Sequence, residues 1–465
     1  MVSSSSTRSR ARLHRARCLV SLLTSLTCLH YQTILGESAV SVKLDSPLVQ
    51  EVIKSLQDVK ADTKDESNHS DSEELSTSDA AAIKAITSQI SSWMDMKRQH
   101  DLSKTQAKLF EDRVHTRHRP FITLAYAQTL DGMIAAKIAN DDSVQTTSNL
   151  QLSCPQSFIL THKLRNMHDA ILVGGSTFFI DAPRLNVRLP SSVMRESLIE
   201  QPIPVVLDTN LNSLQKLLWG KVIPNPEVDE EETNNEMPQD MHPENIRASN
   251  PILCCSSDAA KLFLDHLESF QQNQQPVKKV DEFPGQLNRQ QKRVYRITVY
   301  KMVDDENDHE EDMYLPIKIT VQVTLEGNKV DAETVTTTFT LLPCQLHQNE
   351  ETLDLLNVLQ QLNRRFQIDS VMVEGGAKIL SSFINECVGS RKDKKSGKNF
   401  SWKLADCICA SISPSIIGKK GLHALRELDV TNQKRSHDEM HVTPMSLRDG
   451  QFLSLGRDCL FLGRL

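Results

Sequence analysis

Residues that could bind a phosphorylated ligand lie about ten positions after a glycine pair. The apolar run Ala170–Val173 ends at the pair Gly174–Gly175, and Arg184, Asn186 and Arg188 follow at alternating positions. Two arginines and an amide could hold a phosphate, because guanidinium groups bind phosphate oxygens in pairs. The same alternation is typical of one solvated face of a strand. Both interpretations stay open on this stretch alone.

A second glycine pair occurs later in the chain in similar surroundings. The run Ser370–Val373 is followed by Glu374, Gly375 and Gly376, and a helix-like run starts at Ala377. Apolar runs this short predict buried strands, and glycine allows close approach of a ligand to the backbone. A helix that begins after such a turn offers free N–H groups to a phosphate. The spacing is not G-x-G-x-x-G, so it does not indicate a standard Rossmann motif.

The elements around both glycine pairs predict an α/β protein. Before the first pair, Leu160, Leu164 and Met167 share one face of a predicted helix, and Ser153 and Gln156 have capping-box spacing at its start. Strands that alternate with helices form an α/β sheet, whose ligand sites lie at the carboxyl ends of the strands. The predicted strands are Phe121–Ala127, Ala170–Val173, Pro204–Thr209, Ile252–Cys255, Ser370–Val373 and Cys407–Ser411, and a hairpin closes the chain after Phe452.

Two stretches interrupt this pattern, and we interpret them as inserts at about 221–250 and 271–340. The first contains the acidic run Glu227–Asp240, and the second contains the acidic run Asp304–Asp312. Burying an unpaired carboxylate costs roughly several kcal/mol, so both runs are expected on loops outside the sheet. Alternating β-branched residues predict a small antiparallel elaboration from Val294–Val299, Ile317–Thr324 and Thr334–Leu342.

Composition excludes some classes of function. The formal net charge is −7, aromatic residues make up 5%, and no long basic stripe occurs, so we expect no nucleic-acid partner. None of the ten cysteines forms a C-x-x-C motif, and Cys407 and Cys409 lie in an apolar run. This pattern indicates buried, reduced thiols, and we expect no metal site.

The N-terminal part of the chain has the composition of a leader followed by an extension. Residues Met1–Gly36 lack Asp and Glu and are rich in Arg and Ser, and the apolar run Cys18–Cys28 is too short to span a bilayer. We expect an organellar targeting leader, plastid ahead of mitochondrion. A secretory-type signal, a disordered cytoplasmic extension and a misassigned start are the alternatives. The range 37–116 is expected to be largely disordered, with a peripheral helix over Ala80–Arg98.

Ordered motifs from Arg119 to the C-terminus resemble the pyrimidine reductases of riboflavin biosynthesis. The resemblance is to the single-function eukaryotic enzyme and to the C-terminal reductase half of the bacterial deaminase–reductase. It implies a dihydrofolate-reductase-like fold, a doubly wound mixed sheet, for the range 117–465. The motifs are Arg119–Leu124, Thr129–Gly132, Leu152–Ser153, Thr161–Arg165, His168–Gly174, Thr177, Asp181, Pro183–Arg188, Val205–Leu211, Val371–Phe383 and Ile412–Gly421.

The resemblance also implies an activity and a site. The family reduces the ribosylamino group of 2,5-diamino-6-ribosylamino-pyrimidinone 5′-phosphate to ribitylamino with NADPH, and we expect a homodimer with no membrane partner in its mature form. Glu374 would serve in catalysis and in substrate binding. The other substrate residues would be Ser153, Arg165, Leu185 and Arg188. The residues that would hold NADPH are Gly174, Thr177, Asp181, Gly375, Gly376, Ala377, Lys378 and Ile379.

The chain departs from the family pattern at a few positions. Ala182 stands where the family usually has a second Asp after Asp181, and Met133 stands where Lys is common. The zinc motif P-C-x-x-C of the deaminase half is absent, since Pro343-Cys344 lacks the second Cys. A dihydrofolate-type or other pteridine reductase, and a catalytically inactive nucleotide-binding homologue with a regulatory role, stay open as alternatives.

Overall fold

The computed structural model describes residues 75–108, 119–138, 146–148, 150–189, 199–224, 238, 240–273, 292–302, 315–326, 334–347, 351–392, 399–425 and 446–465. All of them lie within one compact unit, Leu75–Leu465. The leader Met1–Gly36 and the acidic run Asp304–Asp312 fall outside the described residues, as does nearly all of the run Glu227–Asp240. No helix among the described residues is long and apolar enough to cross a membrane.

The helices and strands alternate along the chain as the sequence predicts. The helices are α1 (Thr77–Lys108), α2 (Pro155–Met167), α3 (Gly175–Asp181), α4 (Asn212–Trp219), α5 (Ser257–Asn273), α6 (Leu355–Phe366) and α7 (Ala377–Asn385). The first eight strands are β1 (Phe121–Thr129), β2 (Met133–Ile138), β3 (Thr146–Ser148), β4 (Ala170–Gly174), β5 (Ile203–Leu207), β6 (Ile252–Ser256), β7 (Lys292–Lys301) and β8 (Ile317–Glu326). The others are β9 (Thr334–Cys344), β10 (Ser370–Gly375), β11 (Cys387–Lys392), β12 (Asn399–Lys403), β13 (Cys407–Ser413), β14 (Gly421–His423), β15 (Arg448–Leu455) and β16 (Asp458–Arg464).

One large mixed sheet dominates the fold. Its strand order is β15-β16-β13-β1-β10-β4-β5-β6-β9-β8-β7. The central strands from β13 to β9 run parallel, and antiparallel strands extend the sheet at both edges. This arrangement confirms the predicted α/β mixed sheet, and the hairpin of β15 and β16 confirms the predicted closing hairpin.

Both faces of the sheet are covered by helices, so the fold is doubly wound. In β4, Ile171 and Val173 pack with Phe263 of α5 on one face. Ala170 and Leu172 pack on the other face with residues of α6 and α7. Successive side chains of a strand point to opposite faces, so burial on both sides gives the continuous apolar run seen in the sequence.

Helix α1 is part of the core, and the prediction of a peripheral helix was wrong. Ile86 and Ile90 are fully buried, and Trp93 is 3% exposed. They belong to the same apolar cluster as Phe121 of β1 and Cys407 of β13. The sequence Thr77–Lys108 looked peripheral because it is rich in polar residues, but its apolar residues at helical spacing cover one face of the sheet.

The two ranges interpreted as inserts contribute to the core. Met241, Ile246 and Ala248 are buried in the cluster that contains Trp219 of α4. Strands β7 and β8 form the antiparallel elaboration, but β9 also joins the parallel part of the sheet beside β6. Apolar residues at the end of the first range explain this packing, since the burial of each removes apolar surface from water.

Candidate active site

The two glycine pairs meet because β4 and β10 are parallel neighbours in the sheet. Their register is fixed at the opposite end by Asp169. Its Oδ2 accepts hydrogen bonds from the backbone N–H groups of Asp369 and Ser370, at 2.9 and 2.8 Å, and from the hydroxyl of Ser370 at 3.0 Å. A slip of one residue would move every side chain to the other face. Asp169 therefore aligns the carboxyl ends where Gly174 and Gly375 lie.

Glu374 occupies an irregularity at the end of β10. Val373 pairs with Leu172, and the next pair is Gly375 with Val173, so Glu374 is an extra residue in the ladder. A bulge of this kind redirects a side chain and is frequent next to active sites. Here the Glu374 carboxylate meets Arg165 at the C-terminal end of α2, with Nε–Oε1 at 2.5 Å and Nη2–Oε2 at 2.6 Å.

The glycine pairs form a cradle in which neighbouring side chains pack directly against the backbone. A Cβ on Gly174 would lie 2.8 Å from Cγ1 of Ile379, and one on Gly376 would lie 3.2 Å from Oγ1 of Thr177. Gly376 has φ +66° and Gly375 has φ +131°, so both need glycine. The structure thus brings Gly174, Thr177, Gly376 and Ile379 together. Helix α7 begins with Ala377 and Lys378, and the free N–H groups at its start face this turn.

Arg188 lies near the charges of Arg165, Arg184 and Glu374. Burial and the neighbouring charges of Arg165 and Arg184 lower the pKa of Arg188, whereas Glu374 acts in the opposite direction. Arg165 also donates from Nη1 to the carbonyl oxygen of Asn186 at 2.8 Å. A second anion at this place would relieve the repulsion between the arginines, and a phosphate suits guanidinium donors.

The other predicted substrate residues lie at different distances from this cluster. Leu185 is buried and has φ +49°, next to the arginine cluster in the chain. Ser153 precedes α2, and Arg165 lies in its last turn, so about 15 Å of helix at 1.5 Å per residue separates the two. The structure does not bring Ser153 and Arg165 together, and the assignment of Ser153 to the substrate stays a prediction.

The predicted capping box at Ser153 was wrong. The N-cap of α2 is Cys154, whose Sγ accepts the backbone N–H of Ser157 at 3.5 Å. Pro155 takes the first helical position, because its fixed φ fits there and it lacks an N–H group. The capping position therefore falls on the residue before proline.

Asp181 is the last residue of α3, and its side chain is exposed. It precedes Ala182, which adopts a left-handed conformation with φ +39°. Asp and Asn tolerate this conformation better than Ala does, because their short polar side chains can bond to the local backbone. The residue type that is usual at this position in the family would thus fit the backbone better than Ala182 does.

Sequence reasoning missed Asp208 as a support of the first glycine pair. Its Oδ2 accepts from the N–H groups of Ser213 and Leu214 at 2.9 and 3.1 Å. A Cβ on Gly175 would lie 3.1 Å from its carboxyl carbon. Burial raises the pKa of Asp208 to about 6. The signal in the sequence was a polar residue directly after the buried strand β5.

Sequence reasoning also missed how Asp131 joins two turns at the carboxyl ends of β1 and β13. Its carboxylate accepts the hydroxyl of Thr129 at 2.5 Å and the backbone N–H of Gly418 at 2.7 Å. The N–H of Leu130 donates to the carbonyl oxygen of Ser415 at 2.8 Å. Asp131 thus holds the two turns at fixed positions on the same edge of the sheet as Glu374.

Two buried histidines near the site are neutral. Burial lowers the pKa of His162 and of His168 to about 4. His168 bridges the carbonyl oxygen of Leu164 at 2.7 Å and the hydroxyl of Thr123 at 2.8 Å, which ties α2 to β1. Nδ1 of His162 accepts the backbone N–H of Arg188 at 2.9 Å. No group of His, Cys, Asp and Glu among the described residues could hold a metal ion.

Fold and site together define a class of protein. The described residues form a doubly wound α/β protein whose candidate ligand site lies where two glycine pairs meet, at the carboxyl ends of parallel strands. A family model described as RibD C-terminal domain matches residues 120–265 and 276–388. The chain belongs to this family. Membership confirms the resemblance identified from the motifs.

Curated relatives match the chain over shorter segments. A 2,5-diamino-6-ribosylamino-4(3H)-pyrimidinone 5′-phosphate reductase of Candida glabrata is 41% identical over 100 residues, which cover 21% of this chain and 38% of the relative. The enzyme of the same name from Saccharomyces cerevisiae is 39% identical over 90 residues, covering 19% of this chain and 32% of the relative. The riboflavin biosynthesis protein RibD of Aquifex aeolicus is 35% identical over 96 residues, covering 21% of this chain and 23% of the relative.

A solved structure of the riboflavin biosynthesis reductase of Saccharomyces cerevisiae also matches. It is 17% identical, with 78% of this chain and 99% of that chain covered and a TM-score of 0.35.

Proposed function

We propose that this protein reduces the ribosylamino side chain of 2,5-diamino-6-ribosylamino-pyrimidinone 5′-phosphate to ribitylamino with NADPH. The observation that carries the proposal is the position of Glu374. A β-bulge directs it to Arg165, between a glycine cradle and a group of arginines. Family membership and the names of the curated relatives support the same reaction.

The glycine cradle fits a dinucleotide. Ile379 and Thr177 pack directly against the backbone at Gly174 and Gly376, where a Cβ would contact them. At Gly375 a Cβ would meet nothing within 4 Å, so the backbone there is open to a ligand. The N–H groups at the start of α7 suit a pyrophosphate. Bound NADPH would supply the hydride. Gly174, Gly375, Gly376 and the residues Ala377–Ile379 would hold it, with Thr177 and Asp181 beside them.

The arginine group would hold the substrate by its phosphate. Arg188 is exposed and lies near Arg165 and Arg184, so a phosphate would satisfy an excess of positive charge. Arg165 uses three nitrogens on Glu374 and Asn186, and its main contribution would be to orient Glu374. A carboxylate paired in this way offers acceptors only, which suit ribose hydroxyl or pyrimidine amino groups.

Complementation tests this proposal in a cell. The full chain should restore growth without riboflavin to an auxotroph that lacks only the ribosylamino reductase. Glu374→Gln should restore growth poorly, whereas Arg296→Ala, which changes an exposed arginine of the edge strand β7, should restore it like the wild type. If the expressed, folded wild-type chain fails to restore growth, the proposal is refuted.

We also propose that Met1–Gly36 directs the protein to an organelle, with plastid ahead of mitochondrion. The support is its composition, which lacks Asp and Glu and is rich in Arg. A fluorescent reporter fused to Met1–Val42 should concentrate in plastids. A diffuse cytoplasmic reporter would contradict the proposal. The expectation of a homodimer stays a prediction.

A further inference from the structure

The segment that carries Arg188 is held in place by side chains. The described residues 182–189 contain no strand, although three successive residues have backbone bonds. The carbonyl oxygen of Asn186 accepts from Arg165, and the N–H of Arg188 donates to His162. Between them, the N–H of Val187 donates to Oε1 of Gln201 at 2.8 Å, and its carbonyl oxygen accepts from Nε2 of Gln201 at 3.3 Å.

Among these hydrogen bonds, the one to His162 fixes the backbone position of Arg188. Its ring is 1% exposed and packs edge-on against Phe158, with ring centroids 4.3 Å apart. Nδ1 must be unprotonated to accept the N–H of Arg188, so any ring proton is on Nε2. A rigid, buried acceptor thus fixes the backbone of an exposed arginine, whose long side chain keeps its own freedom.

The spacing of His162 and Arg165 on α2 allows one helix to position both Glu374 and the backbone of Arg188. His162 and Arg165 are three residues apart, so both face the Arg188 segment from the same side of the helix. Arg165 fixes Glu374 and the carbonyl of Asn186, and His162 fixes the N–H of Arg188. One helix turn therefore sets the separation between the carboxylate and the phosphate-binding arginine. A substrate that contacts both depends on that separation.

We infer that His162 is a positioning residue that sets the point from which Arg188 reaches the substrate phosphate. Gln201 supports the same segment from the other side. This inference rests on the proposed function, because it assigns His162 a role through a substrate contact of Arg188.

A double-mutant cycle on the full chain tests the inference. His162→Leu removes the acceptor and replaces the ring with an apolar side chain of similar size. His162→Asn instead keeps an acceptor near the position of Nδ1. His162→Leu should raise KM for the phosphorylated pyrimidine about tenfold with little change in kcat or NADPH affinity, and His162→Asn should recover most of this loss. In an Arg188→Ala background, His162→Leu should change KM less than about twofold, since its effect passes through Arg188.

Two further variants separate positioning from stability. His266→Leu changes another buried histidine, on α5, whose apolar residues belong to the cluster around Trp219, and should leave KM unchanged. Gln201→Leu changes an exposed residue, so it should fold normally and still raise KM about threefold or more. Gln201→Leu therefore still tests the inference if His162→Leu does not fold.

The outcomes distinguish the inference from the proposed function. An inactive, folded wild type would refute the proposed function, and the inference with it. An active wild type in which His162→Leu costs the same factor with and without Arg188 would refute the inference alone. An unchanged KM in folded His162→Leu would also refute it. An unchanged KM in Gln201→Leu would refute it as well if His162→Leu does not fold.

Discussion

The guanidinium group of Arg165 and the carboxylate of Glu374 form two hydrogen bonds, at 2.5 and 2.6 Å, between α2 and the bulge in β10. Their side chains are only 10% and 16% exposed. Removing one partner of a buried pair leaves a charge uncompensated, which costs about 3 to 5 kcal/mol for a fully buried pair. Both side chains keep some exposure, so we expect a smaller loss of stability here.

Glu374→Gln keeps the shape of the side chain and removes its charge. We expect a lower kcat/KM for the pyrimidine and little change in NADPH affinity, because the cradle is formed by backbone and by Thr177 and Ile379. Steady-state kinetics and fluorescence titration with NADPH measure the two effects. Equal losses in both would show that Glu374 only supports the turn.

Arg188→Ala should weaken substrate binding and leave the fold intact. The side chain is exposed, so stability should change by less than about 0.5 kcal/mol. KM for the phosphorylated pyrimidine should rise by an amount equivalent to roughly 2 to 3 kcal/mol, as expected for a charge-assisted contact. Arg296→Ala is the matched control. If KM is the same as that of the wild type, Arg188 does not bind the substrate and belongs to a solvated face of the segment.

Gly376→Ala should affect both stability and cofactor binding. Gly376 has φ +66°, and a Cβ there would lie 3.2 Å from Thr177 Oγ1. Gly220→Ala is the control, because Gly220 has φ +73° and its Cβ would meet nothing within 4 Å. Gly220→Ala should lose about 1 kcal/mol in denaturant unfolding, and Gly376→Ala should lose more, because its ψ of 140° lies outside the left-handed helical region. Only Gly376→Ala should lose NADPH affinity, by about tenfold or more. Equal NADPH affinity in the two variants would contradict a cofactor cradle.

The neutral state of His168 predicts a pH dependence of stability. Its pKa is lowered from an ordinary 6.5 to about 4, so the unfolded chain binds the proton more readily than the folded chain does. Stability should be retained above about pH 6.5 and should be lost as pH falls toward 4, at a slope approaching about 1.4 kcal/mol per pH unit.

The measurement compares urea unfolding of the wild type and His168→Gln across this pH window. Asp208, whose pKa is raised to about 6, contributes in the opposite direction between pH 4 and 6, and His162 contributes in the same direction as His168. Only the difference between the two proteins therefore reports on His168. The variant should have the shallower slope, and identical slopes would contradict a buried neutral His168.

Much of the sheet could be predicted from the sequence because its central strands are short apolar runs, two of which end at glycine. The runs before Gly174 and Gly375 follow from local composition, and parallel pairing places their ends on one edge. The bulge at Glu374 could not be predicted, because it depends on pairing with a strand about two hundred residues away in the chain. The contact of Arg165 with Glu374 has the same origin.

The core position of α1 also escaped prediction. Ile86, Ile90 and Trp93 recur at helical spacing, but the surrounding Ser, Gln and Asp residues give the stretch a polar average. Burial depends on what the helix packs against, and its partners in β1 and β13 lie further along the chain. Similarly, the side-chain bonds that hold Arg188 involve α2 and Gln201, and no local pattern around Arg188 indicates them.

Burial of α1 predicts that this helix is needed for stability. Ile90→Ala should lower the free energy of unfolding by about 2 to 5 kcal/mol, because it leaves a cavity against the sheet. Met96→Ala, at a position 46% exposed on the same helix, should change it by less than about 0.5 kcal/mol. Thermal unfolding compares the two. Similar midpoints for both variants would show that α1 is peripheral after all.

The most direct test of the central claim is the reaction itself, followed with the purified full chain, NADPH and 2,5-diamino-6-ribosylamino-pyrimidinone 5′-phosphate. Nicotinamide absorbance should fall only when the pyrimidine is present, in proportion to a product heavier than the substrate by two hydrogen atoms. Glu374→Gln should slow this loss strongly, and Arg296→Ala should not. If the folded wild-type chain binds both compounds and NADPH is not consumed, the claim that this site is a pyrimidine reductase is contradicted.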